Sequence, residues 1–441
     1  MAQKPARDRL EGYRRKRSAG RTPEPFSGPS TARPRLFVVQ KHAARNMHFD
    51  LRLEMEGVLQ SWAVPKGPSL DPQDKRLAVL VEEHPLEYAE FEGIIPAGNY
   101  GAGAVIVWDR GRWDPIGDPL AGVRDGKLLF DLHGYKLRGR WTLFRTKRKS
   151  TEWLLMKKPD PAAEPRPFDE RSIRSGLTVE QLRDGYDPAA ALRRRLTRLD
   201  PPRRRFALES LSPMLGRARD RPFSGGGWLF EIKYDGFRLL AERDGATARL
   251  RFRGGGDATA ALPEIADALR ALPFPSFVVD GEVVVLDEQG KPSFQLLQQR
   301  IRLSRGGDAT RLTVDRPATL FVFDLLALDD RDLRPLPLVE RKRLLEKIVP
   351  PLGPLRYCEH IVGRGEEMYR AAQELGLEGV MAKRSAAAYV AGRSDDWLKI
   401  RADRTGNFAI VGYSPPKRAR GGFAALHVAA YDGSRLVYAG R

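Results

Sequence analysis

The run Glu231-Ile-Lys-Tyr-Asp-Gly-Phe-Arg238 contains a Lys-x-Asp-Gly-x-Arg pattern. A lysine in this setting can attack the α-phosphate of a nucleotide once it has shed its proton, although its reference pKa is about 10.4. Nearby cations lower that barrier. The product is a lysyl phosphoramidate, which keeps the reactivity of the anhydride. Surface turns also produce Lys-x-Asp-Gly, so the specificity lies in the ordered set that follows. Arg253 begins a flexible basic turn, Arg253-Gly-Gly-Gly-Asp-Ala-Thr259. Asp280-Gly-Glu282 reads as a turn within a hairpin, projecting a ribose- or metal-binding carboxylate. Phe323 precedes Asp324 in a buried strand, where it can stack on adenine. Glu378-Gly-Val-Met-Ala-Lys383 and Trp397-Leu-Lys-Ile-Arg401 carry charges at alternate positions, so Lys399 and Arg401 share a strand face. Cations so placed suit a triphosphate, where phosphoryl transfer builds negative charge.

A second constellation lies near the N-terminus. The segment His48-Phe-Asp-Leu-Arg-Leu-Glu54 alternates polar and apolar residues. In a strand, His48, Asp50, Arg52 and Glu54 face one way and Phe49, Leu51 and Leu53 enter the core. His42 precedes this strand, and His84 reads as the end of the strand Leu77 to Glu83. Two histidines and an aspartate form a ligand set suited to Mn²⁺, Zn²⁺ or Fe²⁺. Arg52 and Arg76 offer guanidinium forks that match phosphate oxygens.

The elements that must hold these residues divide the 441-residue chain. Residues 1–34 form a basic arm. Residues 35–158 read as short β segments with turns, an all-β barrel or sandwich. Residues 159–205 are rich in Pro, Ala and Arg and read as a linker, with one helix at Ala189 to Leu199. Residues 206–401 mix strands, at Phe277 to Leu286 and Leu320 to Leu326, with amphipathic helices at Ala260 to Leu272, Leu338 to Ile348 and Glu366 to Leu375. This is an α+β pattern. Residues 402–441 begin another β run.

The net charge of +19 points to polyanions as partners. The stretch Gly134 to Lys149 carries seven Lys or Arg and no Asp or Glu, interleaved with Tyr135, Trp141 and Phe144. That mixture suits a phosphate backbone with base stacking. The single cysteine, Cys358, excludes an internal disulfide framework and a Cys-based zinc site, and fits a reducing cytoplasm. No apolar run reaches the ~18 residues of a membrane helix.

The motifs Gln40-Lys-His-x5-His-Phe-Asp-Leu-Arg-Leu-Glu54, Trp62-Ala-Val-Pro-Lys-Gly67, Glu83-His-Pro-Leu-Glu-Tyr88 and Phe91-Glu-Gly-Ile-Ile-Pro-x-Gly-x-Tyr-Gly101 resemble the 3′-phosphoesterase module of bacterial end-joining ligases. The resemblance implies a Mn²⁺-dependent site that removes 3′-terminal ribonucleotides and 3′-phosphates. It assigns the metal to His42, His48 and Asp50, and the scissile phosphate to Arg52, Arg76, His84 and Tyr88. Gln40, Lys66 and Glu82 become supporting residues. The segment Tyr13-Arg-Arg-Lys-Arg-x4-Thr-Pro-Glu-Pro25 resembles an N-terminal arm that orders over that site.

The ordered set from Glu231 to Arg401 resembles the covalent nucleotidyltransferases. Leu211-Ser-Pro-Met-Leu215 and Tyr389-Val-Ala-Gly-Arg-Ser-Asp-Asp-Trp397 narrow the resemblance to the ligase domain of bacterial ligase D. It implies an ATP-grasp-like core with Lys233 as the AMP-accepting nucleophile. Glu231, Arg238, Arg253, Glu282 and Phe323 would hold AMP, Glu378 would serve Mg²⁺ or Mn²⁺, and Lys383, Lys399 and Arg401 would serve the phosphates. Two departures stand out. The family's Ser-Arg-Asn-Gly motif reads Phe252-Arg-Gly-Gly255 here. Only forty residues follow Arg401, short of the roughly 50 or more needed for the five-stranded OB-fold expected there. The expectation is a bifunctional ATP-dependent DNA ligase with an end-cleaning module and the start of an OB-fold. The alternatives are an enzyme in which only the phosphoesterase works, and a DNA-binding repair scaffold. The resemblance also implies a Ku-like end-binding partner and a bacterial, nucleoid-associated, cytoplasmic setting.

Overall fold

A computed structural model describes residues 9–26, 35–304, 309–402, 408–415 and 423–440. Parts of the basic arm (1–8 and 27–34) and Arg441 lie outside the described residues. Ten strands make the first body: β1 Leu36–Ala43, β2 Met47–Met55, β3 Val58–Val64, β4 Arg76–Leu80, β5 His84–Pro85, β6 Gly93–Ile95, β7 Gly103–Pro115, β8 Lys127–Gly134, β9 Arg138–Arg145 and β10 Glu152–Lys157. Eight close in the antiparallel order β1-β2-β3-β4-β10-β9-β8-β7, with β7 pairing back onto β1. Closure leaves no unpaired edge. The two-residue β5 pairs β3 and the short β6 pairs β7. His84 is therefore not the end of β4 but has a strand of its own.

Alternation decides what fills the barrel. Phe37, Val39, Leu51, Leu53, Trp62, Trp108, Trp141 and Trp153 form its interior. Trp141 is thus core, not a stacking platform for bases. Lys136 is buried as well, its Nζ donating to the carbonyls of Asp169 and Arg171. Arg138, Arg140, Arg145 and the run Lys147 to Lys149 stay on the surface, with Tyr135 and Phe144 half-buried. The opposite faces of β1 to β3 are buried too. Leu36, Val38 and Leu59 pack with Tyr13 of the N-terminal arm and Leu86, Tyr88 and Ala89. The pairing of β1 with β7 shifts register at Val39/Gln40, where the polar part of β1 begins.

The stretch between the two bodies is packed, not loose. Ile173 donates its N–H to Val107 of the barrel. The helix Pro188–Leu199 puts Ala189, Leu192 and Leu196 into the core of the second body.

The second body is built on two sheets. One has the order β11-β21-β20-β12-β19, with β11 Met214–Ala218, β12 Trp228–Ile232, β19 His360–Val362, β20 Gly379–Arg384 and β21 Gly392–Arg401. The other runs β14-β13-β15-β16-β17 with β18 beside β16; the strands are β13 Phe237–Asp244, β14 Thr247–Phe252, β15 Ser276–Val285, β16 Ala318–Leu328, β17 Arg331–Asp332 and β18 Leu355–Tyr357. Asp280-Gly-Glu282 is not a hairpin turn. It lies within the continuous strand β15, where a Cβ on Gly281 would sit 2.8 Å from the Phe321 carbonyl. The glycine serves close strand approach. Leu240, Val278, Phe323 and Leu326 of the second sheet meet Met214 and Trp397 of the first. Helices Pro263–Ala271, Phe294–Leu303 and Leu338–Ile348 cover the other face. A final antiparallel sheet, β22 Ala409–Ser414, β23 Ala425–Asp432 and β24 Arg435–Gly440, has the OB-like character expected.

Asp109 ties the barrel wall to the turn between β8 and β9. Its fully buried carboxylate accepts the N–H groups of Tyr135, Lys136 and Leu137 at 2.7–3.1 Å. Asp109→Ala orphans three buried donors, and a loss of stability on the order of 3 kcal/mol is expected in chemical denaturation. A loss indistinguishable from that of surface variants would show that the turn holds itself.

Candidate active sites

The first site lies on the outer face of β1 and β2. His42 and His48 stand directly opposite each other in the antiparallel pair, and Asp50 follows on the same face. The ligand atoms of all three lie within 4.8 Å of one another. His42 Nδ1 and His48 Nε2 are each 3.7 Å from Asp50 Oδ2. The remaining ring nitrogens are already committed. His42 Nε2 donates to the Gly101 carbonyl at 2.8 Å, and His48 Nδ1 to that of Asn46 at 2.9 Å. A carbonyl can only accept, so the committed nitrogen of each ring carries a proton and the other nitrogen faces Asp50. This is how second-shell contacts orient metal-ligating histidines. The donor set fits a divalent cation.

Arg52 is buried, and its nitrogens are spent within the protein. Nε donates to Gln40 Oε1, Nη1 to Ser61 Oγ and Nη2 to Asp50 Oδ2. Burial alone would raise the Asp50 pKa, but Arg52 and the two imidazoles hold its carboxyl well below the usual range. His84 is held below its usual pKa by burial and by Arg52 and Arg17. It is neutral, with Nδ1 on the Glu82 carbonyl at 2.9 Å. Burial raises the Tyr88 phenol well above its usual range. Its hydroxyl donates to Glu24 Oε1 at 2.9 Å. Glu24 and Arg17 come from the N-terminal arm, and Arg17 also pairs with Glu82 at 3.1 Å. Arg17, Arg45, Tyr100, His42, His48, Asp50, Arg52, His84 and Tyr88 all border one cavity of about 690 Å³. Arg76 and Lys66 do not. Arg76 pairs with Asp74 at 2.6 Å, and Lys66 is exposed nearby. Sequence reasoning missed Arg17 and Glu24 as site groups. Their signal was the motif Tyr13 to Pro25, which contains both and was read only as an arm ordering over the site.

The second site lies between the two sheets, in a cavity of about 570 Å³, a size suited to a nucleotide-scale ligand. Lys233 follows β12, and its Nζ pairs with Glu378 Oε1. Glu378 Oε2 is buried with no hydrogen-bond partner among the described residues, so one acceptor is left for a ligand. Glu231 is buried between two lysines: Oε2 meets Lys383 Nζ and Oε1 meets Lys342 Nζ. Burial pushes against its ionisation, but Lys342 and Lys383 prevail and hold its pKa down. Lys383 also sits over the Phe323 and Trp397 rings at 4.0 and 4.2 Å. Arg238 lies over the Phe323 ring and forks onto Asp280, its Nη2 reaching Oδ2 at 2.7 Å. Asp280 is therefore consumed in holding Arg238, while Glu282 borders the cavity. Burial raises the Glu282 pKa to about 7, against the opposing pull of Arg238 and Lys233. Arg253, Lys399, Arg401 and the unforeseen Arg393 border the same space and form no ion pair among the described residues. Lys342 was also missed. Its signal was a cation at a stripe position of the helix Leu338–Ile348, between Leu338 and Leu345. It also donates to the carbonyl of Cys358, whose buried thiol is pushed up to about 12.

Residues 40–145 match the family described as DNA Ligase D 3′-phosphoesterase domain, and residues 213–401 match the ATP dependent DNA ligase domain. The chain belongs to the DNA ligase D family. It is 40% identical over 457 residues to a multifunctional non-homologous end joining protein LigD of Pseudomonas aeruginosa, spanning 99% of this chain and 52% of that protein. It is 35% identical over 448 residues to the corresponding protein of Mycobacterium tuberculosis H37Rv, spanning 100% of this chain and 51% of that one. The chain spans about half the length of the curated relatives it matches. A solved mycobacterial DNA ligase D complexed with ATP and MES has a TM-score of 0.41 and 32% identity, over 53% of this chain and 73% of that one. The outer-face site falls in the phosphoesterase domain and the intersheet cavity in the ligase domain.

Replacing either imidazole removes one of three convergent donors. His42→Ala or His48→Ala is expected to weaken Mn²⁺ binding by at least about tenfold in calorimetry, with the fold intact. Undiminished affinity would reject this ligand set. Lys342→Met leaves Glu231 with one cation. It is expected to raise the KM for ATP several-fold, whereas Lys342→Arg restores most of the loss.

Proposed function

We propose that this chain joins DNA strand breaks with ATP and trims their 3′ ends beforehand, with residues 35–158 and 206–401 as the two working domains. The single observation that carries the reading is the pairing of two complete charge constellations in one chain: Lys233 with its cation-lined cavity, and the His42–His48–Asp50 cluster. In the ligase domain, neutral Lys233 Nζ attacks the α-phosphorus of ATP. The N–P bond forms, the bond to the bridging oxygen breaks and pyrophosphate leaves. Glu378 Oε1 is the nearest proton acceptor. Glu231, Arg238 and Phe323 hold the nucleoside side, while Lys383, Lys399 and Arg401 answer the charge on the phosphates. Glu282 and Glu378 would hold the divalent cation. AMP then passes from Lys233 to a 5′-phosphate, and the 3′-hydroxyl of the facing strand displaces it.

In the phosphoesterase domain, His42, His48 and Asp50 would hold Mn²⁺. A cation there would neutralise charge building on the phosphoryl oxygens. Arg52 contributes positive charge at the cavity wall, whereas Arg76 stays with Asp74 outside it; Tyr88 keeps its proton on Glu24, and neutral His84 can accept a hydrogen bond. Arg45, exposed at the cavity rim, suits the DNA backbone. DNA is the substrate, and a Ku-like end-binding protein is the proposed partner. No helix among the described residues is long and apolar enough to cross a membrane.

Lys233→Ala should abolish the radiolabelled AMP adduct formed from ATP, while trimming of a 3′-ribonucleotide with Mn²⁺ persists. His42→Ala should do the reverse. No adduct on the unmutated chain with any divalent cation would overturn the ligase assignment. A second expectation concerns pH. Glu282 is largely protonated below about pH 7, so adduct formation should rise as pH increases through that value. Glu282→Gln should flatten this inflection and lower the plateau. The same raised pKa means Glu282 favours the folded state at low pH, and that contribution fades as pH rises from about 4.5 to 7.

A further inference from the structure

The barrel and the ligase core share a junction. The cluster around the outer barrel residues Val38, Val105 and Val107 also contains Ile173 and Val314, with Tyr135 and Leu352 packed against it. Val314 belongs to the helix Ala309–Asp315 of the ligase side. The approach is close: a Cβ on Gly353 would stand 2.2 Å from the Ile173 carbonyl. At the edge of this junction, Tyr135 stands on the turn that Asp109 holds. The Arg356 guanidinium lies over its ring at 5.6 Å. The same guanidinium lies over the Phe321 ring at 5.9 Å. Phe321 in turn stacks on Tyr234, with centroids 3.9 Å apart and 14° between the planes. Tyr234 borders the nucleotide cavity and is the residue after Lys233. Arg356 forms no ion pair among the described residues; its one hydrogen bond there goes to the Gly353 carbonyl at 3.4 Å. A half-buried guanidinium without a carboxylate is held by aromatic faces, where such contacts are strongest.

We propose that Tyr135 of the phosphoesterase barrel is a positioning residue for the ligase site. It acts through Arg356 and the Phe321–Tyr234 stack on the backbone that carries Lys233. The partner surface of the barrel turn is thus the β16–β18 edge of the ligase core. The inference rests on the ligase reading above only for its kinetic consequence; the contact itself can be tested without activity.

The test uses the full chain with Tyr135→Ala, Tyr135→Phe, Arg356→Met and the double variant Tyr135→Ala/Arg356→Met. Tyr135→Ala is expected to slow AMP-adduct formation about fivefold, the worth of one cation–π contact that is only partly desolvated. The effect should fall on the rate at saturating ATP more than on the KM. Tyr135→Phe keeps the ring face and should match the unmutated chain. The double variant should be no slower than Arg356→Met alone, because both changes break one path. Manganese-dependent 3′-end trimming should be unchanged throughout. Hydrogen exchange supplies the activity-independent arm: Tyr135→Ala should speed amide exchange at residues 354–358 and 232–236, and Tyr135→Phe should not. Unchanged exchange at 232–236 in Tyr135→Ala, or single effects that multiply in the double variant, would overturn the proposal. An unmutated chain that forms no adduct would overturn the ligase reading instead, and the exchange data would still decide the contact.

Discussion

Glu231 is almost fully buried, and nothing about the ligase cavity is stable unless that carboxylate is matched. Removing an ion from water is expensive unless paired charge and hydrogen bonds replace the lost solvation. The match here comes from two lysines on different elements, Lys383 from β20 and Lys342 from the helix Leu338–Ile348. The same helix sends fully buried Arg341 onto fully buried Asp324, at 2.7 and 2.8 Å. Two buried ion pairs therefore fix one helix against both sheets. Their cost enforces a single arrangement, since sliding the helix by one residue would strand several charges at once. The cavity between the sheets inherits its shape from that register.

The phosphoesterase site solves a similar problem on a barrel. Its polar residues project from the outside of β1 to β3, a surface that would ordinarily be solvated. The N-terminal arm and the Leu86–Glu90 turn roof it over, so the histidines and Asp50 are charged or polar groups under cover. Arg52 is the group that makes this tolerable, because it satisfies Gln40, Ser61 and Asp50 together. Arg17 is likewise spent on Glu24 and Glu82, which leaves Arg45 as the exposed cation at the cavity rim.

Much of this was legible in the order of residues. Period-two alternation placed His48, Asp50 and Arg52 on one face of β2, and the helix Leu338–Ile348 was readable residue for residue. Local pattern failed where a distant partner decides the outcome. Asp280-Gly-Glu282 looks like a turn, yet Gly281 is small because the neighbouring strand passes close. The alternation of aromatics and cations after Gly134 looks like a nucleic-acid surface, yet barrel closure turns Trp141 inward. Lys342 carried no motif, and only its place on an apolar stripe marked it. Arg76 matches its motif, yet it pairs with Asp74 and does not border the cavity.

Cys358 lies deep against the Glu231 cluster, its thiol held protonated by burial. It is the only cysteine among the 441 residues. Oxidants attack thiolates, not buried thiols. Both sites draw their charged groups from lysine, arginine, histidine and carboxylates, so no thiolate is among them. The one thiol beside the Glu231 cluster is in this way kept out of thiolate chemistry.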